Sequence, residues 1–293
     1  MPRLMVESPV PRVSLVMPVH NGARYLDRAL RSVRDQDFAD WELICVDDAS
    51  ADDTPAILAA HAAADRRVRV LTNPRNLKLP ATLNRGFRDA RAALHGWTSD
   101  DNELRPHMLG RLVAALDARP DAGVAYAGFT VIDAEGRPQR VQRAGPVEDI
   151  LLRNVVGAAF LYRAEVTAAL GGYDETLFGA EDYDFWLRAA RRFAFVAVDE
   201  DLYLYRRHGA SLTDTREREI KDKVAALVMR ELRHVPDRRR RAETLLHLVT
   251  QDTSRVRARL LARAAGESPA AALAAAPRIA RWIARCARNR LVA

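Results

Sequence analysis

Thiol chemistry has almost nothing to work with in this chain, because only two of its 293 residues are cysteine, Cys45 and Cys286. They form no metal-type or redox-type pair, and Cys45 sits inside the apolar run Leu43-Ile44-Cys45-Val46, as a buried thiol does. Neither a disulfide framework nor a thiolate metal centre is expected. Runs of about 18 or more apolar residues are also missing, which argues against a transmembrane helix. Residues 1–12 are broken by Pro2, Pro9 and Pro11 and lack the apolar core of a secretory signal, so a cytoplasmic location is expected. No G-x-G-x-x-G follows the first apolar run, which weighs against a dinucleotide-dependent oxidoreductase. The basic run Arg238-Arg239-Arg240-Arg241 has no interleaved aromatics, so it reads as a solvated charge run and no nucleic-acid partner is expected.

A hydrophobic content of 48% is enough for a sizeable core. The net charge of +7 suits anionic partners such as nucleotide phosphates. Residues 13–19 are almost continuously apolar, as a buried parallel strand requires, and Pro18 falls near the end of that run, where a missing amide is tolerated. His20-Asn21-Gly22 reads as a turn. Tyr25, Leu26, Ala29, Leu30 and Val33 then recur at helical spacing. Strands are expected at 41–46, 68–71 and 124–129 and just before residue 98, with helices over 55–64, 81–93 and 106–118. That alternation predicts a parallel sheet covered on both faces. Asp133-Ala134-Glu135-Gly136 reads as a hairpin turn, Gly157 opens a small-residue segment running into a strand, and a helix starts at Glu181. Two short strands are expected at 193–198 and 202–205. From about residue 215 the composition shifts to helix-forming Ala and Arg, which sets a boundary: residues 1–11 an extension, 12–214 a catalytic domain and 215–293 a helical region.

Acidic groups stand where such a sheet would use them. Asp47-Asp48 ends the second strand and Asp100-Asp101 follows a later one. In a doubly wound sheet ligands bind beyond the carboxyl ends of the strands, so both pairs are expected in one cleft. One carboxylate there can accept from a base N–H or ribose hydroxyl, and another can hold Mg²⁺ or Mn²⁺. His208 suits Mn²⁺ as a further ligand. Glu181-Asp182 opens a helix, where acids favour the macrodipole, and one of the two also has the chemistry of a general base. Asn76 and Asn84 read most simply as turn and helix-face residues.

Val16-Met17-Pro18-Val19-His20-Asn21, Val46-Asp47-Asp48-Ala49-Ser50-Ala51-Asp52, Ser99-Asp100-Asp101-Asn102 and Glu181-Asp182-Tyr183-Asp184 occur in the order seen in glycosyltransferase family 2. The resemblance covers about residues 12–210. It implies a GT-A fold, a Rossmann-like α/β arrangement with a mixed, mostly parallel sheet, here carrying a C-terminal helical extension. It also implies an inverting, metal-dependent transferase using a nucleoside-diphosphate sugar, UDP favoured over dTDP or GDP, with a carbohydrate or glycoconjugate acceptor. Carried onto this chain, Pro18, His20, Asn21, Asp47 and Asp48 line the nucleotide pocket. Asp100 and Asp101 form the DXD-type motif, with Asp101 on the metal and Asp100 near the ribose. Asp182, beside Glu181, is the catalytic base, His208 the metal-binding histidine and Gly157 a glycine that lets a ligand approach the backbone. Asn76-Leu77-Lys78 resembles the family's Asn-x-Gly, near Asn84. Lys78 in place of glycine implies a different backbone there and a cation near the donor. A catalytically silent nucleotide-sugar-binding or scaffold protein of the same fold is the alternative, against which Asp101, Asp182 and His208 speak.

At the C-terminus, Ile279, Trp282, Ile283 and Cys286 share one helical face and Arg281, Arg285 and Arg288 the other. A basic amphipathic helix of this kind either lies on an anionic membrane surface or docks its apolar face on the core or a second subunit.

Overall fold

A computed structural model describes residues 10–209, 211–251 and 258–292. The chain divides into two compact units, one built from residues up to Val147 and Val155–Ile220, the other from Glu148–Asn154 and residues 221 onward. The first unit begins β1 (Val13–Val19), α1 (Ala23–Arg34), β2 (Trp41–Asp47), α2 (Thr54–Ala64), β3 (Val68–Thr72), α3 (Leu79–Arg88) and β4 (Leu94–Trp97). It continues with β5 (Glu103–Leu104), α4 (Met108–Ala118), β6 (Ala122–Ile132), β7 (Pro138–Gln142), β8 (Ala159–Arg163), α5 (Ala164–Leu170), α6 (Glu181–Ala189), β9 (Ala194–Arg206) and α7 (Leu212–Thr215).

Every residue of β1 and β2 is buried, as their mostly apolar runs require for strands covered on both faces, and the polar pair within them is matched, Ser14 Oγ donating to Glu42 Oε1 at 2.7 Å. The face of α1 expected from its spacing, Tyr25, Leu26, Ala29, Leu30 and Val33, is buried too. Each such side chain contributes about 1.5–3 kcal/mol when fully removed from water. One cluster of buried residues joins β1, β2 and β4 to α1 and α4.

The sheet runs β3-β2-β1-β4-β8-β6-β9-β5, with β7 on β6. β1, β2, β3 and β4 are parallel neighbours, and β6 and β9 pair in parallel further along. β8 is antiparallel to both β4 and β6, so it separates strands that the alternation alone would place side by side. The register decides the site. Val19 lies opposite Asp47, and Val16 opposite Trp97, so the loops after β1, β2 and β4 all leave the same edge.

β9 is one strand of 13 residues where the sequence suggests two. The break in its pattern corresponds to register shifts around Gly128 of β6. A Cβ at Gly128 would press on the carbonyls of Gln142 and Glu200, so only glycine lets the three strands close up there.

In the second unit, α8 (Glu217–Glu231) leads in from the first, followed by α9 (Arg238–Gln251), α10 (Ala258–Glu267) and α11 (Pro269–Val292). Trp282 and Cys286 of α11 are buried with Val249, and Ile279, Leu260 and Leu261 pack against them. The apolar face of the C-terminal helix is therefore largely used inside this unit, while Ile283 remains 44% exposed. The side chain of Arg288 lies outside the described residues. Among the described residues no helix is long and apolar enough to cross a membrane.

Candidate functional site

The loops leaving that common edge are tied together by their own polar groups. Asp48 N donates to Val19 O at 2.8 Å, and Thr98 N to Val16 O at 3.0 Å. His20 Nδ1 meets Asp48 O at 2.8 Å, Asn21 Oδ1 accepts Ala51 N at 2.8 Å, and Gly22 N donates to Thr54 Oγ1 at 3.0 Å. Asn21 takes the left-handed φ of 54° that this turn needs, which asparagine tolerates better than most residues. Gly22 has a sterically enforced role, since a Cβ there would overlap the Asp100 carboxylate.

These loops open onto a cavity of about 520 Å³. Pro18, His20, Asn21, Asp48, Asn76, Lys78, Asp100, Asp101 and His208 line it, drawn from segments up to 190 positions apart. Asp101 Oδ2 lies 3.1 Å from His208 Nε2 across 107 residues of sequence. The tie between them runs through β9. Thr98 Oγ1 bonds Tyr203 OH at 2.7 Å, Asn102 Oδ1 accepts Arg206 N at 2.7 Å, and Arg206 Nε donates to Asp101 O at 2.9 Å. The Arg206 side chain is fully buried, reaches Glu103 and the carbonyls of Asp133 and Ala134, and lies 4.7 Å over the Tyr25 ring. The His208 ring also meets Tyr25, with centroids 5.2 Å apart.

The acidic pair is electrostatically uncomfortable. Burial, then the adjacent Asp101 charge, push the Asp100 carboxyl up to about 8. Burial also raises Asp101, and the hydrogen bond from His208 opposes it. No Lys or Arg ion-pairs with Asp100 among the described residues. Nor is any group of three or more His, Cys, Asp or Glu arranged among them to enclose a metal ion unaided.

Five residues named from the sequence do not line the cavity. Asp47 Oδ1 accepts Ser50 N at 3.0 Å and shapes the loop behind it. Asn84 clamps Tyr173 by both its main-chain N–H and C=O, each at 2.9 Å. Gly157 has φ 65°, and a Cβ there would strike the Phe129 ring. Glu181 Oε2 accepts Gly179 N at 2.6 Å, and Asp182 Oδ1 accepts Tyr183 N at 2.6 Å at the start of α6. Asp182 is half-buried, and Phe178, four residues before it, does line the cavity. The backbone at Lys78 does not avoid the glycine region as the substitution implied: its φ is 73° and its ψ 162°.

Several lining residues had no signal in the sequence. Arg24 and Tyr25 lie in a helical repeat that reads as an ordinary amphipathic face, and Ser211, Thr215 and Arg216 follow the last motif. Arg206 was visible only as one of two arginines before His208.

Comparison with known proteins adds an independent line. The family model described as Glycosyl transferase family 2 matches residues 14–175. The chain is 32% identical over 211 residues to the O-antigen biosynthesis protein RfbC of Myxococcus xanthus, covering 70% of this chain and 16% of that one. It is 30% identical over 184 residues to the putative glycosyltransferase EpsE of Bacillus subtilis, covering 61% and 66%. The chain thus spans less than two thirds of either relative's length. Among solved structures, S. aureus TarS 1-349 in complex with UDP-GlcNAc superposes with a TM-score of 0.63 at 15% identity, over 86% of this chain and 83% of that one. The mannosyltransferase PcManGT from Pyrobaculum calidifontis, in complex with GDP-Man and Mn2+, gives 0.56 at 19% identity over 96% and 80%. At these identities the likeness is one of fold.

Proposed function

The chain belongs to glycosyl transferase family 2, and from that premise we propose that it moves a sugar from a nucleoside-diphosphate donor, UDP favoured, to an acceptor hydroxyl with inversion. The observation that carries this reading is the convergence of Asp48, Asp100, Asp101 and His208 on one cavity at the carboxyl edge of the sheet. Of the two aspartates after β2, Asp48 is the one that lines the cavity, and it takes the base. Asp100 serves the ribose. TarS, whose structure holds UDP-GlcNAc, and PcManGT, whose structure holds GDP-Man and Mn2+, share the fold and support the donor class.

A divalent cation fits the residues present. Two crowded carboxylates without a cationic partner on Asp100 call for positive charge, and Asp101 with His208 offers oxygen and imidazole donors. Mn²⁺ or Mg²⁺ is commonly held by one or two protein groups together with substrate phosphates, so a full protein cage is unnecessary. Charge neutralisation of the departing diphosphate is what a bound cation supplies there. The chain's own part is to orient donor and acceptor and to take a proton. Asp182, its carboxylate held by the first turn of α6, takes the proton from the acceptor hydroxyl as that oxygen attacks the anomeric carbon from the face opposite the diphosphate. One displacement inverts the centre. The acceptor is a carbohydrate or glycoconjugate.

A thermal-shift panel of nucleoside diphosphates and their sugars, each with and without Mn²⁺, tests the reading. Stabilisation by a uridine or other nucleoside diphosphate that grows with Mn²⁺ is expected. A flat response to every nucleotide would overturn it.

A further inference from the structure

Lys78 occupies a backbone conformation that belongs almost wholly to glycine, and it lines the cavity. The combination φ 73°, ψ 162° strains any residue with a Cβ. The surrounding loop leaves it no other choice. The Lys78 N–H donates to Asp48 Oδ2 at 2.9 Å and to Asn76 Oδ1 at 3.0 Å, and its C=O accepts Thr82 N at 3.0 Å. Asp48 Oδ1 also accepts Leu77 N at 2.7 Å, so one buried carboxylate fixes both amides of the turn. Glycine at 78 would satisfy every one of these bonds without strain. A lysine held there therefore costs folding stability for something its side chain does.

What the side chain can do follows from its surroundings. Lys78 is exposed, lines the cavity and has no acidic partner among the described residues. Two other cations share the wall: Arg216 is committed to Glu219 at 3.1 Å and to the Phe178 ring at 5.2 Å, and Arg24 lies 4.8 Å over the Tyr25 ring. The carboxylates on the wall are Asp48, which accepts the Leu77 and Lys78 amides, and the pair Asp100 and Asp101, which a cation from solution is suited to balance. Lys78 is thus a positive charge available to a ligand before any metal arrives. A nucleoside diphosphate brings several negative oxygens into the same space, and an ammonium on a flexible stem binds phosphate as a point charge.

We infer that Lys78 anchors the donor's diphosphate directly, so that the protein grips the phosphates even without the divalent cation. The inference rests on the nucleotide-sugar reading above and deepens it. It makes the site different in kind from one that depends on metal alone: the cation adds to a hold that the chain already has.

The experiment is calorimetric titration of uridine and of UDP into wild type, Lys78→Gly and Lys78→Gln, in EDTA and in Mn²⁺, with urea unfolding of each protein. In EDTA, wild type is expected to bind UDP at least about tenfold more tightly than uridine, a gain that fades with added salt. Both variants should lose that gain and keep uridine affinity, and Mn²⁺ should restore UDP binding in them only in part. Lys78→Gly should also unfold at higher urea than wild type, while Lys78→Gln, which keeps the Cβ, should not. UDP affinity in EDTA within a factor of about two of wild type for both variants would overturn the inference, as would a wild type that binds uridine and UDP alike without metal. A wild type that binds neither ligand with or without Mn²⁺ would instead bring down the nucleotide-sugar reading itself.

Discussion

Arg206→Met tests how the site is held. The wild-type guanidinium has no exposure and serves four acceptors: the carbonyls of Asp101, Asp133 and Ala134, and the Glu103 carboxylate. Methionine fills the space but donates nothing, so those acceptors lose their partner together. Breaking a buried ion pair by removing one member costs about 3–5 kcal/mol. Glu103 is 26% exposed and regains some water, which puts the expected loss near the lower end, about 3 kcal/mol. With a urea slope of about 2–3 kcal/mol/M, the midpoint should fall by about 1 M. Trp282 belongs to the second unit, so a Trp282→Phe background leaves Trp41, Trp97 and Trp186 to report on the first. The functional consequence is sharper than the stability loss. Asp101 and Tyr25 lose the group between them, so His208 loses its seat and Mn²⁺-dependent nucleotide affinity falls. Arg206→Lys keeps the charge but not the fork, and should recover only a part of either effect. A midpoint within about 0.3 M of the parent, with unchanged nucleotide affinity, would refute the claim that Arg206 holds the acidic loop to β9.

Asp182→Asn should lower transfer by about 10²–10⁴ while leaving nucleotide binding intact, and Asp101→Ala should do the reverse, weakening Mn²⁺-dependent donor binding; near-wild-type turnover by Asp182→Asn would remove it as the base. Gly22→Ala forces Asp100 aside at an overpacking cost of about 1–3 kcal/mol, and should blunt the Mn²⁺-dependent thermal shift; an unchanged shift would show that the close approach is dispensable. His95 carries a pH prediction. Burial lowers its pKa to about 4 from an unfolded value of 6.5, so the unfolded chain binds the proton more readily. Its contribution is intact above pH 6.5 and is lost as pH falls toward 4, about 3 kcal/mol in all. His95→Phe, set among Phe87 and Tyr162, should flatten that part of the stability profile measured by urea unfolding from pH 7 to 4, and an unchanged profile would count against the assignment.

Local chemistry was readable from the residues alone. The mostly apolar runs of β1 and β2 read as strands covered on both faces, and the spacing from Tyr25 to Val33 as a helix burying one side. The acidic pairs after β2 and β4 followed, because the alternation of strands and helices sends parallel strands out at a common edge. Each of those signals lies within about a dozen residues, where periodicity has meaning. Tertiary structure alone decided the rest. No local pattern places β8 antiparallel between β4 and β6, joins the two halves of β9, or turns Trp282 inward against Val249. None shows that Asp48 lines the cavity while Asp47 shapes the loop behind it, or that Gly22 makes room for Asp100. Arg206 is the clearest case: a charged residue can vanish from solvent only when acceptors from distant segments surround it, and their meeting is a property of the folded chain.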